Sequence, residues 1–168
     1  MSENKVSKVI FLDIDGVLHP MSKIKGFEWS KEKINCAGLF KYAQPLAKTI
    51  NIAKHMVKAN SGKDLEVVIF IHSAWRFHWS AEEIREFLKD SIGEYIVNVT
   101  DVEIQPREKS IEAAIDMMGD SCDYLVIDDS HEEFELKVIP IKRTLFVDSE
   151  ICLNRIYLDK VVAFLMKK

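Results

Sequence analysis

The sequence predicts an α/β fold, a three-layer α/β sandwich in which helices cover both faces of a mainly parallel, five-stranded sheet. Short apolar segments alternate with segments of helical periodicity along the chain. The apolar segments are hydrophobic along most of their length, which is typical of strands buried on both faces. Four of them end in polar residues, and in such sheets ligands bind beyond the carboxyl ends of the strands.

The first half of the chain supplies two strands and two helices. KVIFL (8–12) predicts a buried strand, and the apolar spacing over about 39–59 predicts a helix that ends in the turn residues Asn-Ser-Gly. EVVIFI (66–71) predicts the second strand. The pair Ser80 and Glu83 has the spacing of a capping box, so we expect a helix over 80–91.

The second half continues the alternation. YIVNVT (95–100) predicts the third strand, and the next helix is expected to open at Pro106 and to end at Gly119. The remaining predicted elements are strands at 123–128 and 144–148 and a closing helix at about 154–166.

The composition suits a single domain over residues 1–168. The chain has 48% hydrophobic and 30% charged residues, and it contains no repeat or linker that would separate domains. The N-terminal stretch lacks an apolar core, so we expect a soluble, cytoplasmic protein without a membrane partner. Cys36, Cys122 and Cys152 are widely spaced, which predicts free thiols rather than a disulfide framework. The net charge of −4 gives no general attraction for nucleic acid.

Acidic residues follow the first and fourth predicted strands. Asp13 and Asp15 come after strand 8–12, Asp128 ends strand 123–128, and Asp129 follows it. Because the carboxyl ends of parallel strands share one edge, these carboxylates should converge and repel one another unless a cation neutralises them. Hard oxygen ligands favour Mg²⁺, so the sequence predicts a magnesium site.

The spacing of the first two acids also suits phosphoryl transfer. A carboxylate such as Asp13 can attack a phosphoryl group and divide a difficult displacement into two easier steps. Asp15, two residues later, can protonate the leaving oxygen and then activate water. Gly16 allows the backbone to turn tightly and to approach a phosphate with its N–H groups.

DIDGVL (13–18) resembles the first motif of phosphatases and phosphotransferases of the haloacid dehalogenase (HAD) superfamily. The resemblance extends from residue 8 to about 150 and implies a Rossmann-like sheet and a Mg²⁺ cofactor. It assigns the nucleophile to Asp13 and the general acid/base to Asp15, whose backbone carbonyl would also ligate Mg²⁺.

The same resemblance supplies the remaining site residues. The second motif is a hydroxyl at the end of the second strand, which assigns phosphate binding to Ser73. In related sequences the hydroxyl can fall one place earlier, a position that is occupied here by His72. The third-motif cation is Arg107 or Lys109, and Arg107 fits the pattern better. The fourth motif places Mg²⁺ ligands at Asp128 and Asp129.

The spacing of these motifs leaves no room for a sizeable cap domain, so residues 19–36 can form at most a small flap. The capless pattern is similar to HAD domains associated with RNA repair proteins. It implies an open site for a phosphorylated macromolecule such as a polynucleotide end. A catalytically weak phosphate-binding module is the alternative. A receiver-type domain, phosphorylated after its third strand at Asp101, fits the motif order poorly.

Two further sets of residues have structural and functional interpretations. His19, His72 and His78 fit no metal-binding spacing, so we assign them no metal. Trp75, Phe77 and Trp79 could form a platform that stacks nucleobases, but packing is the commoner role of such residues. Trp75 and Arg76 match the capless pattern and could support the second-motif loop.

Overall fold

The computed structural model describes residues 5–119, 122–136 and 138–167. In this part of the chain five strands form one parallel sheet, with the spatial order β3-β2-β1-β4-β5. The strands are β1 (Lys5–Leu12), β2 (Asp64–Ile71), β3 (Ile96–Val99), β4 (Tyr124–Asp128) and β5 (Thr144–Phe146). The predicted parallel, Rossmann-like sheet is therefore confirmed.

Helices cover both faces of the sheet. They are α1 (Lys31–Cys36), α2 (Ala43–Ser61), α3 (Ala81–Phe87), α4 (Arg107–Met118) and α5 (Arg155–Met166). One apolar cluster joins Ile10 and Leu12 of β1 to α2, α3 and α5. A second cluster joins Phe11 of β1 to Ile111 of α4. Successive side chains of a strand point to opposite faces, and this alternation produces the three layers that the sequence predicts.

Helix α3 and strand β5 end earlier than predicted, and one further helix is present. Helix α3 ends at Phe87 rather than near residue 91, because the chain turns back and the Gly93 N–H bonds to the Leu88 carbonyl at 2.9 Å. Strand β5 ends at Phe146, which leaves Asp148 in a turn where its carboxylate accepts the N–H of Glu150 at 2.9 Å. Helix α1 is an additional element that the periodicity did not reveal.

The register of the sheet aligns its polar carboxyl end. Leu12 of β1 pairs with Ile71 of β2 and with Ile127 of β4. The next residues are His72, Asp13 and Asp128, so these three side chains follow neighbouring strands at the same level. The pairing of β1 with β2 and β4 therefore brings the polar ends of these strands together, as expected.

In the part of the chain that the structure describes, no large cap lies over this edge, as predicted. Within residues 19–36 the structure contains a 3₁₀ turn at Met21–Lys23 and the short helix α1. None of the helices in the described ranges has the length and hydropathy required to cross a membrane. Cys122 and Cys152 are free thiols, whereas the side chain of Cys36 lies outside the described part of the structure.

Candidate active site

Asp13 lies at the centre of the polar edge. Its backbone N–H donates to the Ile127 carbonyl at 2.9 Å, which ties the end of β1 to β4. Its side chain is buried, and Oδ1 accepts a 2.9 Å hydrogen bond from the Ile14 N–H. Oδ2 accepts a 3.2 Å hydrogen bond from Arg107. The carboxylate is therefore held in one orientation at the sheet edge.

Three carboxylates meet beside this residue. One oxygen each from Asp13, Asp128 and Asp129 lies within 4.8 Å of the others. Burial, reinforced by the charge of Asp13, raises the pKa of Asp128 to about 8 and that of Asp129 to about 6. A cation among these oxygens would remove the repulsion. The donor set of three carboxylates is the hard-oxygen chemistry that Mg²⁺ prefers, so these residues fit the metal that the sequence predicts.

Gly16 makes close packing of the acidic loops possible. Its φ angle is +70°, a left-handed conformation that favours glycine. A Cβ atom at this position would overlap the carboxylate of Asp129. The loop that follows β1 can therefore approach the loop that follows β4 only with glycine at position 16.

Arg107 is the cation that reaches the acids. It begins α4, and its Nη1 lies 2.7 Å from Asp128 Oδ2 and 3.2 Å from Asp13 Oδ2. Its Nε lies 3.0 Å from Glu133. Burial opposes its charge, but the carboxylates of Asp13 and Asp128 raise the pKa of Arg107 above its ordinary value. Lys109, two residues later on α4, is exposed.

Hydrogen bonds connect the loop after β4 to the start of α4. Glu108 is buried, and its carboxylate accepts hydrogen bonds from the backbone N–H groups of Glu135 at 2.9 Å and Ile139 at 3.1 Å. The same loop presents Glu133 to Arg107. These contacts fix the position of the arginine relative to the acids.

Asp15 has surroundings different from those of the other acids. Its Oδ1 accepts a 2.7 Å hydrogen bond from the indole Nε1 of Trp75 and lies 2.9 Å from Nε2 of His19. Both partners are buried. Among the described residues, the carboxylate of Asp15 is not part of the three-acid cluster. Its assignment as a metal ligand rests on the backbone carbonyl and stays a prediction.

His72 and Ser73 follow β2 and are both fully buried. Nδ1 of His72 lies 3.5 Å from Asp128 Oδ2, and burial lowers the pKa of His72 to about 3, so the imidazole is neutral. The Ser73 hydroxyl accepts a 3.4 Å hydrogen bond from the Trp75 N–H at the start of a 3₁₀ turn. His72 thus contacts an acid of the cluster, and the phosphate-binding role of Ser73 stays a prediction.

The comparison with known families bears on this arrangement. The family model for the HAD domain in Swiss Army Knife RNA repair proteins matches residues 9–155. This chain belongs to that family. The match begins in β1 and reaches the first residue of α5, so it includes every strand end described above. No curated protein and no solved structure matches the chain.

Membership in this family indicates, in general terms, that the HAD domain is a hydrolase of the HAD superfamily. Several of its polar contacts were not expected from the sequence. His19 and Trp75 hold Asp15, and Glu133 holds Arg107. The only signal for His19 is its position four residues after Asp15. Glu133 offers no signal at all, because its contact depends on the path of the loop after β4.

Arg76 is a further buried cation of the HAD domain. Its Nη1 donates to the carbonyls of His72 and, at 3.1 Å, of Ser73. Its Nε finds no hydrogen-bond partner in the described part of the chain. Burial, followed by the charge of Arg107, lowers the pKa of Arg76 from its ordinary value. The arginine therefore supports the loop after β2 from within, as the motif pattern predicts.

Proposed function

We propose that this HAD domain is a Mg²⁺-dependent phosphomonoester hydrolase that acts through an aspartyl-phosphate on Asp13. The observation that carries the proposal is the meeting of the Asp13 carboxylate with Asp128, Asp129 and Arg107 at one sheet edge. A nucleophile, a cation site and a guanidinium that can bind phosphate oxygens are the components that phosphoryl transfer needs.

In the first step an oxygen of Asp13 attacks phosphorus, and the bond between phosphorus and the ester oxygen breaks. Asp15 gives its proton to that oxygen, and the product alcohol leaves. Arg107, whose guanidinium lies beside Asp13, binds the phosphoryl oxygens. Asp13, Asp128, Asp129 and the backbone carbonyl of Asp15 would hold Mg²⁺, which when bound would supply positive charge for the phosphoryl group.

In the second step Asp15, now a carboxylate, removes a proton from water. The hydroxide formed attacks phosphorus, the acyl-phosphate bond breaks, and Asp13 returns to its carboxylate form with release of phosphate. The phosphoryl oxygens are held in both steps by Arg107 and by Ser73. Uncatalysed hydrolysis of phosphate monoesters is extremely slow, which explains why the site combines a nucleophile, a proton donor and a cation.

We further propose that the substrate is a macromolecular phosphomonoester, such as a polynucleotide end. The absence of a large cap over the described edge of the sheet supports this, since a small metabolite gains more from an enclosed site. The description of the family as RNA repair proteins also supports it. The net charge of −4 means that nucleic acid would have to be recognised by local contacts.

The test is release of phosphate from a panel of phosphomonoesters in the presence of Mg²⁺. The panel contains a small aryl phosphate, 3′- and 5′-phosphorylated oligonucleotides and a phosphopeptide. Asp13→Asn should abolish turnover and preserve the fold. Asp101→Asn, at an exposed acid after β3, is the matched control and should retain full activity.

Two results would contradict the proposal. Substantial Mg²⁺-dependent turnover by the Asp13→Asn variant would remove Asp13 from the mechanism. No turnover of any substrate by the wild-type protein, together with retained binding of inorganic phosphate, would identify a phosphate-binding module instead.

A further inference from the structure

A cleft with aromatic walls adjoins the acid/base side of the site. Its volume is about 180 Å³. Its lining consists of Asp15, Trp29, Ala74, Trp75, His78 and Trp79. The cleft therefore begins at the carboxylate that the proposed mechanism uses to protonate the leaving oxygen, and it continues along tryptophan rings.

The rings of this cleft are not all required by the core. Trp75 is buried and donates its N–H to Asp15, so it is part of the floor. Trp29 is 44% exposed, although its ring packs edge-on against Trp75 with centroids 5.1 Å apart. Trp79 is half-buried and packs edge-on against Phe87 at 5.2 Å. Exposed aromatic surface beside a polar site is a mark of ligand binding.

The position of Asp15 determines what can occupy the cleft. A residue that protonates the leaving oxygen must lie within hydrogen-bond reach of it, so the group that carries this oxygen lies beside Asp15. The cleft that continues from Asp15 is lined by three indole rings together with Ala74 and His78. A leaving group with its own planar ring would therefore gain stacking energy there, whereas an aliphatic alcohol would not.

The order of the rings favours a nucleoside over a tyrosine. Trp75 is buried and touches Asp15 directly, whereas the ring of Trp29, which packs on Trp75, is partly exposed. In a phosphotyrosine the ring carries the ester oxygen and would have to lie against Asp15 itself. In a nucleotide a sugar separates the ester oxygen from the base, which moves the base outward toward the exposed rings.

We propose that Trp29 and Trp79 form a leaving-group site that stacks the nucleobase of the nucleoside bearing the phosphate. The inference rests on the proposed phosphatase function and adds to it the residues that select the substrate. It also gives Trp79 a binding role, in contrast to the packing role that is the commoner interpretation of its sequence pattern.

The test compares two substrates in the same variant. One substrate is a phosphorylated oligonucleotide with a terminal base, and the other is the same oligonucleotide with an abasic terminal nucleoside. Trp29→Ala and Trp79→Ala should each reduce the ratio of kcat/KM for the base-bearing to the abasic substrate by about 5- to 100-fold. Trp29→Phe, which keeps a ring, should retain most of that ratio. Met117→Ala, at an exposed position of α4 outside the cleft, should leave the ratio unchanged.

An equal fall for both substrates would overturn the inference, because it would show a structural role for the tryptophans. A larger effect of Trp29→Ala on a phosphotyrosine peptide than on the oligonucleotide would also overturn it. A binding experiment tests the site without turnover. A nucleoside monophosphate is added to the Asp13→Asn variant, and its binding is measured by the quenching of tryptophan fluorescence. Loss of that quenching in Asp13→Asn/Trp29→Ala supports the site even if no substrate is hydrolysed, whereas unchanged quenching contradicts it.

Discussion

The indole N–H of Trp75 donates a 2.7 Å hydrogen bond to Oδ1 of Asp15. His19 lies 2.9 Å from the same oxygen. Both contacts involve one oxygen, so the side chain is oriented through Oδ1, and in the proposed mechanism Oδ2 would transfer the proton. In that mechanism Trp75 would be a positioning residue, which acts on the chemistry through Asp15.

Replacement of Trp75 by Phe should lower kcat and leave KM nearly unchanged. Hydrogen bonds to charged groups contribute about 1.5–3 kcal/mol, so the expected fall in kcat is roughly 10- to 100-fold. Steady-state kinetics on one phosphomonoester measures both constants. Phe87→Leu is the control, because Phe87 packs on the Trp75 ring at 6.1 Å without a polar contact to Asp15. If both variants lose activity in proportion to their thermal stability, the effect is one of packing.

The sheet could be predicted from the sequence because most of its strands are apolar runs that end at polar residues. The register of β1 with β2 and β4 then follows from parallel pairing, and it brings Asp13 and Asp128 together. The end of α3 was less predictable, since Leu88 and Ile92 remain buried after the backbone has left the helix. Apolar periodicity reports burial and not backbone hydrogen bonding.

The choice between Arg107 and Lys109 shows what the sequence could not predict about the site. Both cations lie in the first turn of α4, and a shift of two residues along a helix turns a side chain to a different side. Sequence spacing cannot reveal which side faces the strand ends. Packing of Ile111 into the second apolar cluster fixes the rotation of α4, and in that rotation Arg107 meets Asp13 and Asp128.

A matched pair of variants tests the choice of cation. Arg107→Gln should lower kcat/KM by about 100-fold or more, because it removes a guanidinium from the phosphoryl site and leaves buried carboxylates without their partner. Lys109→Gln should change stability and activity little, since substitutions at exposed positions alter stability by about 0.5 kcal/mol or less. Kinetics and thermal unfolding of both proteins provide the measurement. A larger loss of activity in Lys109→Gln would reverse the assignment.

Gly16 and Gly62 offer a second matched comparison. Their φ angles are +70° and +71°, so an alanine pays a similar backbone strain at either position. At Gly62 the new methyl group meets nothing within 4 Å, whereas at Gly16 it would overlap the carboxylate of Asp129. Both variants should lose about 1 kcal/mol of unfolding free energy from strain. Only Gly16→Ala should also lose most of its Mg²⁺-dependent thermal stabilisation, and equal behaviour of the two proteins would contradict the proposed contact with the metal site.

The three-acid cluster predicts how Mg²⁺ binding depends on pH. The pKa of Asp128, about 8, and that of Asp129, about 6, both lie above the ordinary value of 3.8. Between about pH 4 and pH 8, the folded protein without metal therefore binds more protons than the unfolded chain. The contribution of the two groups to stability is fully present below about pH 4 and is lost as pH rises toward 8.

Mg²⁺ should reverse this trend, because it binds the ionised carboxylates and releases their protons. At one fixed Mg²⁺ concentration, the rise in Tm relative to EDTA-treated protein should be larger at pH 8 than at pH 5.5, since a ligand stabilises the folded state more when it binds that state more tightly. Differential scanning fluorimetry at the two pH values measures the effect. In Asp128→Asn the Mg²⁺-dependent rise should be largely absent at both. An equal rise in Tm at pH 5.5 and pH 8, retained in Asp128→Asn, would place the metal away from these acids.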